Sequence, residues 1–500
     1  MKTLITPEAM RKLEADYFRE KNVLSIDLME RAAAAYSAAI EEKFGRGRAY
    51  FVCGAGGNGG DGLAAARLHA LRGIPAEIIL AAEPKTADAV ENLRRAIEAG
   101  VPVHAAGELD SLPEPDVWGD AIFGIGLTRA PEGAIAQLIS RMNASPAPVA
   151  AADVPSGLDA RTGRAFDPCV RADLTVSFQH AKTGHFLADA FDMCGEVRAV
   201  DIGVTDDIPV AESVQMIEPS DIKNLLKTRP RNMHKGTAGH LLIVAGSFGM
   251  AGAAAIAANP ALRTGAGLVS IACPVSIVPI LQTLAPCAMC IPMPEKDGAL
   301  SADGAEMLKS AIAGKNAVAV GCGLSRRAAP EILRAVLESK TPAVIDADGL
   351  NIISENTDLR ALLHENVILT PHPGEAARLL GEFPADPVSA AAKLHAETGA
   401  TVALKGTATV IAGSDLYLSA SGTSGMARGG SGDALTGVTG ALLAEGINAP
   451  ADRRIERTAA LACQIHGLAG EAAAKRHTAR AMTAMHLVEG LEEVFRQYGE

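Results

Sequence analysis

The sequence has few aromatic residues and no excess of positive charge. Aromatic residues make up 3% of the 500 positions, with a single tryptophan, and the formal net charge at pH 7 is -12. Proteins that hold single-stranded nucleic acid without sequence preference need aromatic side chains for stacking and a basic surface for the phosphates. The composition therefore argues against a nucleic-acid partner. Small nucleotides stay possible, because one Lys or Arg and a few backbone amides can bind a phosphate group locally.

The sequence also lacks a secretory signal and a clear membrane segment. The first residues, MKTLITPEAMRKLEADYF, carry charges every few positions, whereas a secretory signal has an apolar core. One uncharged run approaches the length of a membrane span, from Leu241 to Ala258, but its second half is mostly Ala and Gly. We interpret it as a buried strand, a glycine loop and the start of a helix. We therefore expect a cytoplasmic protein with no membrane partner.

A zinc-binding cysteine pattern is missing as well. The eight cysteines are scattered, and only Cys287 and Cys290 form a C-x-x-C pair. No second pair and no histidine pair follows at the spacing of a structural zinc site. We interpret the pair as two buried thiols of a protein in a reducing compartment.

Apolar strands and alanine-rich helices alternate along both halves of the chain. Hydrophobic residues make up 48% of the sequence, and its length fits about two to three domains. The alternation predicts parallel sheets with helices on both faces, which is an α/β fold in each half. Between residues 203 and 230 the sequence becomes polar and proline-rich, which predicts a junction near residue 218. We expect two domains, at residues 1–218 and 219–500.

The loop after the first predicted strand of the first domain is GAGGNGGDG, at residues 54–62. It contains a literal G-x-G-x-x-G that begins at Gly54, and Glu77 follows in the next strand, so a nicotinamide-dinucleotide-binding turn is one interpretation. Asn58 and Asp61 argue against hydride transfer, since a pyrophosphate-binding turn usually has neither an amide nor a carboxylate inside it. The signal is weak by itself.

Polar residues also flank other predicted strands of this half. Asp120 is expected just before a strand that leads into GIGLTR, and Asp153 begins DVPSGLD after another strand. The carboxyl ends of parallel strands meet at one edge of a sheet, so these oxygens and Asn58 could hold a hard monovalent cation as well as a ligand. Each residue alone could be only a turn former.

Strand-then-loop units recur in the second half. They read LLIVAGSFG, AVAVGCG, AVIDADGLN, VILTPHPGE and TVALKGTAT, and each ends in polar residues or glycine. This pattern predicts a site along one sheet edge. Lys405, directly after the buried VAL, is expected to neutralise phosphate charge. His372, between two prolines, is interpreted as a substrate contact in preference to a turn filler.

The stretch GTSGMARGGSGDALTG, residues 422–437, precedes a predicted helix. Its glycines allow the backbone to turn N–H groups toward a ligand, and a helix N-terminus favours anions, so the stretch predicts a phosphate cradle. A carboxylate in such a site needs a chemical task. Asp433 is therefore the expected general base that takes a proton from a hydroxyl as that oxygen meets a phosphoryl group. The alternative is a glycine-rich turn with an N-capping Asp.

The first half resembles the epimerase domain of NAD(P)H-hydrate repair enzymes through NGGDGLAAAR, DAIFGIGLTR and DVPSGLD, in this order and spacing. The resemblance implies a Rossmann-like three-layer α/β/α domain. The family usually has two asparagines where this chain has Gly57 and Asn58. The resemblance implies potassium at Asn58, Asp120 and Ser156, and hydrate contacts at Gly57, Asn58, Gly59, Gly60, Asp61, Gly124, Ile125, Gly126, Leu127, Thr128, Arg129, Ala130 and Asp153.

The second half resembles the ADP- or ATP-dependent NAD(P)H-hydrate dehydratase domain of the ribokinase-like superfamily. The resemblance depends on HKGTAGH, GMAGAA, GCGL, DADGLN, TPHPGE, KGTAT and GGSGD in combination. It implies a ribokinase-like α/β domain, ADP or ATP as phosphoryl donor, and magnesium. It implies substrate contacts at Ala253, Gly323, His372 and Asp433, and nucleotide contacts at Lys405, Gly406, Thr407, Ala408, Thr409 and Gly432.

Together the two resemblances imply one repair enzyme for hydrated nicotinamide cofactors. The first domain would interconvert the R and S hydrates of NADH or NADPH, with Asp153 moving the proton. The second would phosphorylate the S hydrate, eliminate phosphate and restore NAD(P)H. We expect small-molecule partners and a homo-oligomer. Two alternative functions remain at this point. One is a small-molecule kinase that forms a stable phosphate ester. The other is a non-enzymatic dinucleotide sensor, and the paired carboxylates Asp61 and Asp153 argue against it.

Overall fold

The computed structural model describes residues 1–204, 213–383 and 385–499. The chain divides into two compact units. The N-terminal unit is Thr3–Val214, and the C-terminal unit is Gln215–Glu500 together with Met1–Lys2. Each unit has an α/β fold built on parallel strands, as the sequence predicts.

The N-terminal unit contains a seven-stranded parallel sheet in the order β4-β3-β2-β5-β6-β7-β9, and β1 pairs in parallel with β8. Chain order reverses between β2 and β5, so the loops after these two strands diverge and leave a crevice at the sheet's carboxyl edge. The strands are β1 (Lys2–Ile5), β2 (Ala49–Cys53), β3 (Ala76–Leu80), β4 (Val103–Ala105), β5 (Val117–Ala121), β6 (Val149–Ala152), β7 (Leu174–Phe178), β8 (Ala181–Lys182) and β9 (Glu196–Val200).

Helices cover the sheet of the N-terminal unit. They are α1 (Pro7–Lys21), α2 (Ser25–Phe44), α3 (Gly57–Leu71), α4 (Ala87–Glu98), α5 (Gly133–Ala144) and α6 (Ala190–Met193). The sequence predicts one helical stretch over residues 10–43, but the structure has two helices because Asn22 takes a left-handed φ of 51° and ends α1. Helix α3 begins at Gly57, so most of the predicted loop at residues 54–62 is the first turn of a helix.

One further prediction concerns a strand in the core of this unit. The strand expected to begin after Asp120 is wrong, because β5 ends at Ala121 and Asp120 lies inside it. The carboxylate tolerates this burial because backbone and hydroxyl donors satisfy it. Around it the core is apolar: β2 is fully buried, and the rings of Tyr50 and Trp118 meet edge to face with centroids 5.6 Å apart. Burying each such ring stabilises the fold by roughly 1.5–3 kcal/mol.

The main sheet of the C-terminal unit has nine neighbouring strands in the order β13-β12-β11-β16-β17-β18-β19-β20-β21. They are parallel up to β19, after which β20 and β21 continue antiparallel. Strands β14 and β15 form a separate antiparallel pair. The strands that follow the N-terminal unit's β9 are β10 (Ser213–Met216), β11 (His240–Val244), β12 (Leu268–Pro274), β13 (Met289–Met293), β14 (Glu295–Lys296), β15 (Ala299–Leu300), β16 (Ala317–Val320), β17 (Ala343–Ile345), β18 (Val367–Leu369), β19 (Thr401–Leu404), β20 (Thr409–Ala412) and β21 (Leu416–Ser419).

Helix α16, which begins two residues before Asp433, packs closely on α8. A Cβ at Gly437 of α16 would lie 2.0 Å from the carbonyl oxygen of Ala257, so only glycine allows this approach. The helices of the unit are α7 (Asp221–Leu225), α8 (Ala251–Thr264), α9 (Val278–Leu284), α10 (Ala305–Ile312), α11 (Pro330–Glu338), α12 (Asp348–Glu355), α13 (Thr357–Arg360), α14 (Pro373–Leu380), α15 (Pro387–Thr398), α16 (Ser431–Glu445), α17 (Arg454–Ala481) and α18 (Ala484–Val494).

The uncharged run from Leu241 to Ala258 is divided between β11, a loop and α8, as predicted. Within the described residues, no helix combines the length and the apolar character that crossing a membrane requires. The prediction of two buried thiols in the C-x-x-C pair is wrong, because Cys287 is exposed and Cys290 is only half-buried. The pair stands at the start of β13, the strand at one end of the nine-strand order, where burial is incomplete.

Candidate active sites

A cavity of about 610 Å³ opens at the carboxyl edge of the N-terminal sheet. Helices α1 and α2 form one wall, and the loops after β2, β5 and β6 form the other. Eight of the predicted epimerase residues line it: Gly57, Asn58, Asp61, Gly124, Ile125, Gly126, Leu127 and Asp153. A Cβ at Gly57 would meet nothing within 4 Å, so the missing side chain leaves open space there.

Asp153 lies at the inner end of this cavity, directly after β6. Its backbone takes a φ of 62°, which is uncommon for a residue with a side chain and turns the chain sharply at the sheet edge. The carboxylate Oδ1 pairs with the ammonium of Lys182, a fully buried side chain, and accepts a hydrogen bond of 3.2 Å from Ser177 Oγ. These contacts hold the carboxylate in one position.

Two more carboxyl groups face the same cavity, and burial raises the pKa of both. Burial raises the pKa of Asp61 well above its usual range, and the nearby carboxylates of Asp153 and Glu14 raise it further. Burial also raises the pKa of Glu14 to about 6, against the opposing effect of the Lys182 ammonium. The cavity therefore holds an ion-paired carboxylate together with two carboxyl groups whose pKa values are raised.

Asp120 and Ser156 form a buried hydrogen-bonded pair below the cavity. Ser156 donates to Asp120 from its backbone N–H at 2.7 Å and from its hydroxyl at 2.6 Å, and the N–H of Ile122 adds a third bond at 3.2 Å. Burial raises the pKa of Asp120 to about 6 despite these donors. Of the predicted potassium ligands, Asn58 has a buried side-chain Nδ2 with no hydrogen-bond partner among the described residues.

The remaining predicted epimerase residues do not line the cavity. A Cβ at Gly59 would lie 1.9 Å from the carbonyl oxygen of Gly54, and one at Gly60 would lie 2.7 Å from the sulfur of Met29. These two glycines therefore allow close packing of α3. Thr128 and Arg129 are exposed and Ala130 is partly exposed, in the loop that continues from Leu127.

In the C-terminal unit, Lys405 follows β19 and reaches Asp346, which follows β17. Lys405 Nζ lies 2.7 Å from Asp346 Oδ1, and Thr436 of α16 donates to Asp346 Oδ2 at 3.0 Å. Burial alone would raise the pKa of Asp346, but the Lys405 ammonium outweighs it and the pKa is lowered. A Cβ on Gly432 would lie 3.2 Å from Asp346 Oδ2 and 3.4 Å from Lys405 Nζ. The structure thus brings together Lys405 and Gly432, two predicted nucleotide contacts.

Asp433 is the third residue of α16, whose N-cap is Gly430 with a left-handed φ of 94°. The Asp433 carboxyl is half-buried, and burial raises its pKa, with Asp346 acting in the same direction. The Cys322 thiol lies within hydrogen-bonding reach of Asp433 and Thr436. A carboxylate whose pKa is raised at a helix N-terminus has the protonation behaviour of a general base.

The predicted substrate contacts Ala253 and Gly323 meet on the other side of Cys322. Gly323 has a φ of 58°, and a Cβ there would lie 2.8 Å from the Cβ of Ala253. Ser247 Oγ donates to the Gly323 carbonyl at 2.9 Å and holds the loop after β11 against the loop after β16. These small residues allow the two loops to pack closely together.

His372 caps the N-terminus of α14, after β18. Its Nδ1 accepts from the N–H of Gly374 at 3.0 Å, so the proton of the neutral ring lies on Nε2, and 51% of the side chain is exposed. Burial and the Lys405 charge lower its pKa. The backbone N–H of Lys405 donates to Pro371 O at 2.9 Å, which ties the two loops together. The remaining predicted nucleotide residues, Gly406, Thr407, Ala408 and Thr409, connect β19 to β20, with Gly406 and Thr407 exposed.

Sequence reasoning missed Asp346, Lys182, Glu14 and Cys322 as site residues. Asp346 carried a usable signal, because it is a carboxylate directly after a buried strand in AVIDADGLN. Glu14 and Lys182 lie in segments without a motif, and only the fold brings them beside Asp153.

The fold and the two sheet-edge sites define a two-unit α/β enzyme that combines acid–base groups in one unit with a lysine–aspartate pair at a helix N-terminus in the other. A family model described as NAD(P)H-hydrate dehydratase matches residues 241–493, and one described as YjeF-related protein N-terminus matches residues 25–184. The chain belongs to the family of bifunctional NAD(P)H-hydrate repair enzymes.

Curated relatives support this membership over nearly the whole chain. A bifunctional NAD(P)H-hydrate repair enzyme of Moorella thermoacetica is 36% identical over 521 positions, covering 99% of this chain and 97% of the relative. One of Escherichia coli is 34% identical over 482 positions, covering 94% and 89%. Among solved structures, an ADP/ATP-dependent NAD(P)H-hydrate dehydratase of Bacillus subtilis, co-crystallised with ATP and Mg²⁺, is 27% identical with a TM-score of 0.48, covering 57% of this chain and 99% of that structure.

Proposed function

We propose that the protein repairs reduced nicotinamide cofactors that have added water to the ring. Residues 1–218 interconvert the R and S hydrates of NADH or NADPH. Residues 219–500 dehydrate the S hydrate to NAD(P)H with ADP or ATP as phosphoryl donor, and release phosphate with AMP or ADP. The observation that carries the proposal is the cluster at the N-terminus of α16, where Lys405, Asp346 and Asp433 meet Gly432.

The dehydratase site supplies a base and an anion cradle. The hydroxyl on C6 of the hydrated ring is a poor leaving group, and phosphorylation improves it. Asp433 takes the hydroxyl proton as the oxygen attacks the terminal phosphorus, and the bond from that phosphorus to AMP or ADP breaks. Lys405 and the N–H groups at the start of α16 stabilise the charge on the transferred group. The C6–O bond then breaks with loss of a C5 proton, which releases phosphate and restores the reduced ring.

The epimerase site supplies carboxyl groups in different protonation states. A protonated carboxyl, Asp61 or Glu14, donates its proton to the C6 hydroxyl, the C6–O bond breaks, and the ring nitrogen lone pair forms a C=N bond as water leaves. Asp153 takes a proton from the water that adds back to either face. Proton exchange with solvent then restores both groups. Each cycle leaves the atoms of the hydrate unchanged except for the configuration at C6.

Potassium fits the N-terminal unit because Asp120 is a buried carboxylate, and among the described side chains no Lys or Arg pairs with it. We assign Asp120, Ser156 and Asn58 as its ligands, since carboxylate, hydroxyl and amide oxygens suit a hard cation. Bound there, potassium would balance the charge of Asp120. Magnesium fits the second site, where Asp346 and Asp433 offer hard oxygen donors beside the nucleotide phosphates. It would neutralise phosphate charge. A homo-oligomeric state stays a prediction, which light scattering would test.

The proposed function is tested by incubating the protein with a chemically prepared mixture of R and S hydrates. With ADP or ATP present, we expect absorbance of the reduced nicotinamide to return for both epimers, with one phosphate released per cofactor restored. Without nucleotide, NMR should show faster relaxation of an unequal R-to-S ratio than in buffer. A stable phosphorylated product without phosphate release would contradict dehydration and indicate a kinase. An unaltered relaxation rate would contradict epimerisation.

A further inference from the structure

Lys182 is a fully buried lysine directly behind the cavity of the N-terminal unit. Its ammonium has three acceptors: Asp153 Oδ1, Ser177 Oγ at 3.0 Å and the Phe178 carbonyl at 3.2 Å. An ammonium carries three N–H donors, so this set satisfies them all. Burying a lysine is costly unless it is paired and hydrogen-bonded, so the sequence retains a charge here at the expense of an easier apolar side chain.

The position of Lys182 is fixed by the backbone rather than by its long side chain alone. It is the last residue of β8, which pairs in parallel with β1 so that Lys182 lies opposite Ile5. Its own N–H donates to His185 Nδ1 at 3.1 Å. Asp153 is held at the same oxygen by two further donors, because the N–H of Phe178 and the hydroxyl of Ser177 both donate to Oδ1. The acceptor and the cation therefore meet in one geometry.

We propose that Lys182 is a positioning residue of the epimerase reaction, which holds Asp153 in place as the proton acceptor and leaves Asp61 and Glu14 as the proton-donating carboxyl groups of the same cavity. The inference rests on the proposed epimerase function and divides the roles among its carboxyl groups. Lys182 contacts Asp153 from behind and does not line the cavity. It therefore acts through Asp153 and not on the hydrate.

The charged groups around Asp153 come from several elements. Helix α1 contributes Arg11 and Glu14, α3 contributes Asp61, and α4 contributes Asp88, all of which line the cavity. Among these groups Lys182 is the cation in direct contact with a carboxylate, whereas Arg11 donates to the Ile125 carbonyl. Four acidic groups line this cavity, Asp153 among them, and the charges of Asp153 and Glu14 add to burial in raising the pKa of Asp61. Contact with the Lys182 ammonium thus distinguishes Asp153, the base, from Asp61 and Glu14, the acids.

The first test replaces Lys182 by Met, which keeps most of the length of the side chain and removes the ammonium group. We expect R-to-S relaxation, followed by NMR, to slow roughly 10- to 100-fold, the usual effect of losing a residue that orients a reactive group. The acidic limb of the pH–rate profile should move upward, because the substitution removes the positive charge in contact with the proton acceptor. Lys182→Arg should recover part of the rate and keep the limb near its wild-type position. The matched control is Lys43→Met, which breaks a surface pair with Glu196 and should change neither.

The second test separates positioning from general support of the fold. If Lys182 acts through Asp153, then Lys182→Met should cause no further loss in an Asp153→Asn background, measured at protein concentrations where residual turnover exceeds spontaneous epimerisation. Additive losses with an unmoved pH limb would overturn the proposal in favour of a structural lysine. A near wild-type epimerisation rate and an unmoved acidic limb of the pH–rate profile in Lys182→Met would overturn the proposal as well.

A third variant serves if Lys182→Met does not fold. Ser177→Ala removes a hydroxyl that contacts both Asp153 and Lys182, and it should move the acidic limb upward by a smaller amount; an unmoved limb contradicts the proposal. Failure of the proposed function is distinguishable from these results, because the wild-type protein itself would then not accelerate relaxation of the R-to-S ratio.

Discussion

Lys405 Nζ lies 2.7 Å from Asp346 Oδ1, across two loops that end strands β19 and β17. The carboxylate is 2% exposed and the lysine 21% exposed, so the pair is largely removed from water yet leaves the ammonium open on one side. Burial and pairing act in opposite directions on Lys405, and its pKa is raised because Asp346 and Glu375 outweigh burial. The lysine therefore stays charged at neutral pH and faces the N-terminus of α16.

The first prediction concerns this pair. Replacing Lys405 by Met should raise the concentration of ADP or ATP needed for half-maximal dehydration by about 10- to 100-fold, the value of a charge-assisted hydrogen bond to phosphate. The hydrate requirement should change much less, and epimerisation should not change. Steady-state kinetics with each ligand varied in turn measures the two effects.

The control for this substitution is the double variant Lys405→Met with Asp346→Asn. The single substitution leaves Asp346 as an unpaired buried charge, which typically costs roughly 3–5 kcal/mol of stability. The double variant removes that charge, so its free energy of unfolding should recover while the nucleotide defect persists. Equal losses for both ligands in the double variant would show that Lys405 has no special role toward phosphate.

The second prediction concerns Asp120 and potassium. Asp120→Asn removes the charge and keeps one oxygen that can accept from the Ser156 hydroxyl and the Ile122 N–H, whereas the Ser156 N–H loses its acceptor, so the fold should persist with reduced stability. Without that charge the site loses its main attraction for a cation. Epimerisation by the variant should therefore be slower. Its rate should be the same in sodium buffer and in potassium buffer of equal ionic strength.

Asp116→Asn is the matched control for the potassium experiment. Asp116 is an exposed aspartate of the same unit that accepts a hydrogen bond from the N–H of Arg48 at 2.7 Å. Its variant should respond to potassium as the wild type does. A potassium response that survives in Asp120→Asn, or that the wild type never shows, would remove the basis for the cation site.

The third prediction follows from a buried histidine behind the N-terminus of α16. Burial lowers the pKa of His466 to about 4, and its Nε2 donates to the carbonyl of Ser431 at 2.9 Å, at the start of α16. In the unfolded chain this histidine binds a proton near pH 6.5, whereas in the folded protein it binds one only near pH 4. The stability that neutral His466 contributes is therefore complete above about pH 6.5 and is lost as pH falls toward 4, by roughly 3 kcal/mol.

Denaturant unfolding at several pH values measures this loss. His466→Gln keeps a donor for Ser431 and does not titrate, so the difference in unfolding free energy between wild type and variant should shrink or reverse between pH 6.5 and 4. The single tryptophan, Trp118, lies in the N-terminal unit, so its fluorescence follows that unit while circular dichroism follows both. A variant whose acid sensitivity equals that of the wild type would show that His466 is not the titrating group.

The strand-end pattern predicts much of both sites. Apolar runs followed by glycine or carboxylates predict the α/β fold and point to Asp153 at a sheet edge, whereas the glycine-rich stretch before α16 points to Asp433. The same pattern should have singled out Asp346, which follows a buried strand in the same way. Asp120 was misplaced relative to its strand, because a carboxylate inside a buried strand is exceptional and depends here on donors from Ser156, 36 positions away.

The rest of the sites depends on contacts that no local pattern contains. Lys182 meets Asp153 because a two-residue strand, β8, pairs with the first strand of the chain. Glu14 enters the cavity because α1 starts directly after that first strand. Neither residue lies in a motif, and their chemistry arises from burial beside Asp153. Local sequence thus specifies the groups that contact ligand more readily than the groups that set their charge.

The last prediction concerns the independence of the two sites. Asp433→Asn keeps the size of the side chain and deletes the base, and removing a general base typically lowers a rate by about 10²- to 10⁴-fold. Helix α16 should survive, because its N-cap is Gly430 and Asp433 is already inside the first turn. We expect a folded protein that binds adenine nucleotide, dehydrates at least about 100-fold more slowly and epimerises normally.

Asp153→Asn should give the reciprocal result, because it lies in the other unit and on a different sheet. It should dehydrate the S hydrate at the wild-type rate and leave the R hydrate to its slow spontaneous conversion. The two rates are measured on the same samples, by absorbance of the reduced nicotinamide and by NMR of the two epimers. Near wild-type dehydration by Asp433→Asn would remove that residue from the mechanism. Loss of both activities in either folded variant would contradict two separate sites.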